Sequence, residues 1–387
     1  MIPPPETRTI RAFLEPHHLD LAERVGAFAA RELAALPAPA DDAAGRAQAR
    51  EILDRLGGAG WFTPIAEQQW RSCALVREAL SAASPLADAV FALQGLGVVP
   101  ILLAGSEAMR KRWVSAVVSG AAMASFAMTE PNAGSDVAAI ATTAKRDGSG
   151  YVLDGSKTLI SNGGLADFYT VFASTDRASG NKGLTCFVVP AETPGFRFVR
   201  PLVLAAPHPL GEIAFESCRL PADARLGAEG EGFKIGMATL DRLRPTVGAA
   251  ACGMAQRALA EALQHAVTRR QFGKPLADYQ LIQDKLARMA TDLAAARLLV
   301  YRAVWEKDHG ADRVTLEAAM AKSFATEAAQ RIVDDAVQIL GGSGVLADHP
   351  VDRLYRSIRA LRIYEGTTEI QHLVIAGQLL KDARPGA

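Results

Sequence analysis

Five stretches of this 387-residue chain hold residue types able to do chemistry. In Tyr364-Glu-Gly-Thr-Thr-Glu-Ile-Gln371, Glu365 lies in a glycine-containing loop. Thr368 with Gln371 has the form of a capping box opening a last helix, which puts Glu365 just ahead of that helix. Arg353, Arg356, Arg359 and Arg362 precede it at three-residue spacing. A carboxylate there is either an ordinary loop charge or a positioned base, and position alone does not decide. Phe126-Ala-Met-Thr-Glu-Pro-Asn-Ala-Gly-Ser-Asp136 packs hydroxyls, small residues and turns into one segment. It reads either as a tight surface loop or as a cradle of backbone N–H donors for a phosphate or a polar heteroaromatic ring. Leu159-Ile-Ser-Asn-Gly-Gly164 ends a predicted strand and alone reads as a turn. Arg269-Arg-Gln-Phe-Gly-Lys-Pro-Leu-Ala-Asp-Tyr-Gln280 falls between two long helical patterns. Its two arginines are either fork donors to phosphate or solvated charges at a helix C-terminus. Finally, Gly342, Gly344 and Ala347 in Gln338-Ile-Leu-Gly-Gly-Ser-Gly-Val-Leu-Ala347 match G-x-G-x-x-G/A in form. They follow a helix-period run with no βαβ pattern around it, so a dinucleotide fold is rejected and a helix end is read instead.

Three zones must position these segments. Residues 1–121 read as helical, rich in Ala, Leu, Arg and Glu. Breakers at Pro37-Ala-Pro39, Gly57-Gly58-Ala-Gly60, Pro85 and Pro100 divide them into several helices. Residues 122–228 carry short β-branched and aromatic runs punctuated by Gly, Pro, Asp and Asn. Tyr151-Val-Leu, Asp154-Gly155 and Thr158-Leu-Ile read as a hairpin, with further strands at Phe168–Phe172, Leu184–Val189, Phe196–Val199 and from Ile213. A small antiparallel sandwich or barrel fits. Residues 229–387 are helical again. Ile282, Leu286, Met289, Leu293, Ala296 and Val300 form one buried stripe. Val314, Ala318, Ala321, Phe324 and Ala328 form a second, and Ile332, Ala336 and Ile339 a third, as a helix bundle requires. The class is α+β, mostly α.

With 42 Lys+Arg against 42 Asp+Glu, the balanced charge excludes a generic nucleic-acid binder and gives no attraction to an acidic membrane. Cys73, Cys186, Cys218 and Cys252 form no CxxC pair and no zinc-like cluster, so a reduced compartment is expected and a bound metal is not. The start MIPPPETRTI lacks the features of a signal peptide, and the apolar stretch Ala87–Ala104 is interrupted by Gly95, Gly97 and Pro100. A cytoplasmic protein without a membrane span is the expectation.

Taken together and in this order, the segments resemble the acyl-CoA dehydrogenase family. Ala127-Met-Thr-Glu-Pro-Asn-Ala-Gly-Ser-Asp136 is similar to its first signature, and Gln338–Arg356 continuing to Tyr364-Glu-Gly-Thr to its second. The likeness runs from about residue 90 to the end, and more weakly through the N-terminal helices. It implies an N-terminal helical domain, a middle β domain and a C-terminal four-helix bundle. It also implies FAD, in a cleft between the middle and C-terminal domains and across a subunit interface of a homotetramer or homodimer. By motif, Phe126, Met128, Thr129 and Ser135 would line the flavin ring, with Leu159, Ile160 and Ser161 on its other side. Arg269, Phe272, Gln280, Gln338, Gly341 and Gly342 would reach the pyrophosphate and adenosine half, and Thr367 and Glu369 would close the site. Asp241 and Arg244, in Leu240-Asp-Arg-Leu-Arg-Pro245, with Ser135 and Tyr364, would meet the acyl-CoA.

The activity implied is α,β-dehydrogenation of an acyl-CoA thioester. Glu365 is the base, the hydride goes to flavin N5, and an electron-transfer flavoprotein takes the electrons. The enolate would be stabilised by a flavin ribityl hydroxyl and the Glu365 N–H. An acyl-CoA oxidase, a desulfinase or a non-catalytic flavoprotein scaffold are the alternatives. Three places depart from the family pattern: Leu159 stands where Trp is common, Leu204–Gly211 lacks the usual Gly/Ser-rich form, and the common Pro-Glu-Glu-Tyr-Gly-Gly loop is absent near Trp61–Trp70.

Overall fold

The computed structural model describes residues 2–383. The alanine- and leucine-rich ends form helices as their composition dictates. The long ones are α1 (Pro16–Phe28), α2 (Asp42–Gly58), α3 (Trp70–Ala83), α4 (Pro85–Ala104), α5 (Gly232–Thr268), α6 (Gln280–Asp308), α7 (Thr315–Leu340), α8 (Pro350–Leu361) and α9 (Thr368–Asp382). Eight strands form between α4 and α5: β1 (Ala124–Ala127), β2 (Thr143–Asp147), β3 (Gly150–Ser161), β4 (Phe168–Ser174), β5 (Leu184–Pro190), β6 (Phe196–Pro201), β7 (Leu210–Leu220) and β8 (Arg225–Leu226). The mostly α, α+β class is the observed one. Contacts gather the chain into two compact units, each built from separated segments.

The helical unit comprises residues through Ala38, Gln69–Asp88, and Asp241 onward. In it α7 packs on α6, α8 and α9, and α3 packs on α1 and α6. The alanine bias has a packing cause. Ala318, Ala321, Ala325, Ala328 and Ala329 of α7 are buried, and a Cβ at Gly248 would come within 2.6 Å of Val300 Cγ2. Small residues let these helix backbones approach closely. The stripe on α6 is buried from Met289 through Val300 and only half-buried at Ile282 and Leu286.

The sheet-bearing unit comprises Pro39–Gln68 and Ala89–Leu240. Its sheet runs β6-β7-β3-β2-β4-β5-β8, with β1 beside β4. Most ladders are antiparallel, as hairpin connections require, but β1 and β2 each pair β4 in parallel. Helix α2 is clamped to this sheet. Arg46 donates to the carbonyls of Gly163 (2.8 Å) and Leu210 (2.6 Å), and Arg50 pairs with Asp167 at 2.8 Å.

Two local expectations are corrected. Tyr151–Ile160 is not a hairpin; it lies within the single strand β3, and the chain reverses instead at Asp147-Gly148-Ser149-Gly150. Asp154-Gly155 makes an irregularity in the β3–β7 register, where Gly155 takes φ +148° against Thr142. An Asp-Gly pair serves a bulge as well as a turn, which is why pattern alone misplaces it. The stretch 87–104 is also not interrupted: Gly95, Gly97 and Pro100 all lie inside the continuous helix α4. That helix is long and apolar enough to cross a membrane by length and composition, and 78% of its apolar window is buried within the protein. Gly97 serves close approach, since a Cβ there would come 2.5 Å from that of Ala124.

Gly155 yields a direct test. A Cβ there would fall 2.6 Å from Thr142 Oγ1 and 2.7 Å from its Cα. Gly155→Ala is therefore expected to destabilise the sheet-bearing unit by about 1–3 kcal/mol, from backbone strain and the clash together. Thermal unfolding should show a fall of several degrees, and a melting temperature indistinguishable from that of the parent protein would contradict the assignment.

Candidate functional site

In the helical unit, α8 ends at Leu361 and α9 begins at Thr368, and Glu365 lies in the connection. Glu365 and Gly366 both have left-handed backbone, at φ +54° and +91°. A non-glycine residue there is strained unless its surroundings hold it. Three donors do so. Arg244 Nε donates to the Glu365 carbonyl at 3.0 Å, and Lys322 Nζ donates to the Gly366 carbonyl at 2.7 Å. Gln371 Nε2 donates to both, at 3.3 and 3.0 Å. The expected capping box at Thr368 and Gln371 is corrected. The cap is Thr367, whose side chain accepts from Ile370 N, while Thr368 Oγ1 donates to Glu327 at 2.7 Å. Gln371 is turned toward the strained carbonyls instead.

The carboxylate is handled differently from its backbone. Glu365 Oε2 is enclosed and meets no hydrogen-bond partner among the described residues. Burial raises its pKa above the ordinary carboxylate value, opposed in turn by the charges of Arg77, Arg244 and Lys322. Arg77, on α3, is itself buried in a two-pronged pair with Asp88 at 2.7 and 2.9 Å, and donates to Thr246 Oγ1 at 3.0 Å. Burial also pushes up the Tyr364 phenol, with Asp88 adding to the effect. Arg244 bonds Asp241 at 3.1 Å, and Asp241 accepts from Thr315 Oγ1 at 2.6 Å. Thr315, Asp241, Arg244 and the Glu365 carbonyl thus form one hydrogen-bonded chain, with Tyr364 the residue before Glu365.

In the sheet-bearing unit, the segments at 126–136 and 159–164 are brought together. Thr158 N donates to the Thr129 carbonyl at 3.0 Å, Ser125 Oγ to the Ser161 carbonyl at 2.6 Å, and Asn162 Nδ2 to the Ala124 carbonyl at 2.9 Å. Met128 and Ile160 are buried, and Phe126, Thr129 and Ser161 are half-buried. Leu159, at φ +55°, is 56% exposed, and Ser135 is exposed. Ser161 Oγ also bonds His208 Nε2 at 2.8 Å; burial and the nearby Arg46 pull that imidazole down to about 4, so it is neutral.

A buried ion pair underlies this loop. Lys157 Nζ donates to Glu130 Oε1 (2.7 Å), the Met128 carbonyl (3.2 Å) and the Phe172 carbonyl (2.6 Å). Glu130 further accepts from the N–H groups of Ala141 (2.6 Å) and Thr142 (3.0 Å). These bonds hold the Glu130 carboxyl below its usual range despite burial, whereas burial pulls the Lys157 ammonium down to about 8 even with Glu130 opposing. At neutral pH both are charged, with the lysine the costlier member.

Arg269, Phe272, Gln280, Gln338, Gly341, Gly342 and Glu369 lie on the exposed surface of the helical unit, and Thr367 is half-buried. Phe272 is 96% exposed at φ +49°, at the tip of a small hairpin joining α5 to α6. Gly341 ends α7 at φ +59°, so the glycine run is a helix end. Lys157, Glu130, Lys322 and the Arg77–Asp88 pair were not singled out by sequence reasoning. Two carried a signal: Lys157 shares the buried parity of Tyr151 and Leu153, and Lys322 interrupts the buried stripe of α7.

Comparison with known proteins bears on both halves. Residues 15–121, 125–218 and 230–380 match the N-terminal, middle and C-terminal domain models of acyl-CoA dehydrogenase. The chain is 42% identical over 339 residues to the human mitochondrial short-chain specific acyl-CoA dehydrogenase, covering 87% of this chain and 80% of that protein. It is 39% identical over 342 residues to a 3-(aryl)acrylate reductase of Clostridium sporogenes, covering 86% and 90%. The solved structure of butyryl-CoA dehydrogenase from Megasphaera elsdenii superimposes with a TM-score of 0.89 at 36% identity, covering 95% of this chain and 99% of that one.

Proposed function

Because the chain belongs to the acyl-CoA dehydrogenase family and is an enzyme of it, we propose that it catalyses FAD-dependent α,β-dehydrogenation of a short acyl-CoA thioester, with Glu365 as the base. The observation that carries this reading is the Glu365 carboxylate: one oxygen is enclosed and has no hydrogen-bond partner among the described residues, and its backbone is held in a strained conformation by three donors. An enclosed carboxylate with a raised pKa is a stronger base than a solvated one, and a free lone pair is what an incoming α-proton needs. The short chain rests on the relatives named for short-chain and butyryl-CoA substrates.

The residues present fit FAD. Leu159 offers an exposed apolar face, with Thr129 and Ser161 hydroxyls on the two joined segments, and Arg269 and Gln338 offer exposed polar groups. When bound, the flavin supplies the acceptor for the β-hydride. Glu365 takes the α-proton at its carboxylate, and its backbone N–H orients the thioester oxygen where enolate charge develops. Arg244 and Asp241 meet the acyl-CoA. An electron-transfer flavoprotein as acceptor follows the family. A homo-oligomer is supported by exposed apolar side chains such as Phe272, Leu281 and Leu373.

The purified protein should be yellow and retain FAD. Under argon, a panel of straight, branched, cyclic and aryl acyl-CoAs should bleach it, with four-carbon chains among the fastest. A preparation that cannot be reconstituted with FAD, or that bleaches only with long chains, would contradict the cofactor or the chain length respectively.

A further inference from the structure

We infer that Lys322 is a positioning residue for Glu365, acting both through the Gly366 carbonyl and through its charge. The inference rests on the reading of Glu365 as the base. Lys322 lies on α7 among the buried Ala318, Ala319, Ala321 and Ala325, a place where an ammonium is expensive to keep. Its Nζ donates to the Gly366 carbonyl at 2.7 Å, and among the described residues no carboxylate forms an ion pair with it. Burial pulls its pKa down to about 8, Glu365 working against that fall.

A neutral donor would satisfy the Gly366 carbonyl, and Gln371 already supplies one at 3.0 Å. The costly lysine therefore adds something an amide cannot, namely positive charge beside Glu365. The charged groups that face Glu365 are Arg77 from α3, Arg244 from α5 and Lys322 from α7, all favouring its ionised form, and Asp88 from α4, opposing it. Those that face Lys322 are Glu365, Arg244, Glu327 and Glu369. Toward this loop Arg244 Nε and Lys322 Nζ each donate to a backbone carbonyl, while Arg244 Nη1 is taken by Asp241, so neither cation is spent on the Glu365 carboxylate. A direct ion pair would occupy the lone pair and hold the pKa low. Cations bonded to the backbone keep the buried carboxylate ionisable while leaving its oxygen open to the proton.

The test uses the FAD-loaded protein and three variants, Lys322→Gln, Lys322→Arg and Lys322→Met. Two readouts are taken: the ¹³C titration of the Glu365 carboxyl, assigned against Glu365→Gln, and the pH dependence of anaerobic bleaching by butyryl-CoA. Lys322→Gln keeps a donor and removes the charge. Its carboxyl should titrate at higher pH than the parent's, and bleaching near neutral pH should be about tenfold slower and recover as pH rises. Lys322→Arg should restore both toward the parent profile. Lys322→Met removes donor and charge together, and should it fail to fold, the other two variants carry the test. An unchanged titration and profile in Lys322→Gln overturns the inference. A parent protein that does not bleach, or a Glu365→Gln variant that does, sinks the proposed function instead, and the carboxyl titration still decides the role of Lys322.

Discussion

Glu365→Gln is expected to retain FAD and to lose flavin bleaching by acyl-CoA by a factor of about 10²–10⁴, the range a positioned general base supplies. The substitution preserves size and keeps the carbonyls that Arg244, Lys322 and Gln371 hold, because those bonds go to the backbone. The fold around φ +54° should therefore survive, and only the proton acceptor disappears. The sign of the pH dependence follows from the raised pKa. The parent's activity is expected to rise with pH as Glu365 ionises, above the ordinary carboxylate range. Stability runs the other way: the protonated carboxyl suits the enclosed site, so this group's contribution is full below its unfolded pKa and is lost as pH rises through its folded one. Rate against pH checks the first, thermal unfolding against pH checks the second, and flavin absorbance checks FAD retention. Normal bleaching by Glu365→Gln would remove this residue as the base.

The second large effect is structural. Glu130→Ala is expected to destabilise the sheet-bearing unit by about 3–5 kcal/mol, because it leaves a buried ammonium uncompensated. It also takes the acceptor from the Ala141 and Thr142 N–H groups. At roughly 2–4 °C per kcal/mol for a unit of this size, the melting temperature should fall by about 10 °C. Lys157 should respond by losing its proton more readily, since Glu130 is the main group opposing the burial that already draws it to about 8. FAD retention should fall too, because Lys157 also ties down the Met128 carbonyl next to Thr129. A second variant, Glu130→Ala with Lys157→Met, removes the stranded charge and should recover part of the loss. A melting temperature within 2 °C of the parent for Glu130→Ala alone would show that the pair does not hold this loop.

Much of this architecture is legible from residue pattern, and the failures share a physical cause. The stripes on α6 and α7 could be read because one face of a helix must be apolar when buried, and Met289, Leu293, Ala318 and Ala321 obey that rule. Asp154-Gly155 misled because its chemistry suits a bulge and a turn alike, and only the partner strand decides between them. Pro100 and Gly97 misled because close packing can retain a helix that local propensity would end. Thr367 and Thr368 are adjacent hydroxyls, and which one caps depends on Glu327, which is 41 residues from Thr368 and claims it. The site divides in the same way. Glu365 sits in a recognisable motif, whereas Lys322 looks like an error in an apolar run, and Lys157 like a solvated charge beside a turn, until their partners are seen. A buried charge is defined by distant groups, and no local window contains those.

The claim that Glu365 serves an α,β-dehydrogenation is tested most directly by a single turnover. FAD-loaded protein would be mixed under argon with one equivalent of butyryl-CoA, following flavin absorbance and the mass of the recovered thioester together. The account predicts flavin bleaching in step with a thioester lighter by two hydrogens in the parent protein, and neither change in Glu365→Gln. Bleaching without that mass change, or an unbleached flavin in a fully FAD-loaded parent across the whole acyl-CoA panel, would contradict it.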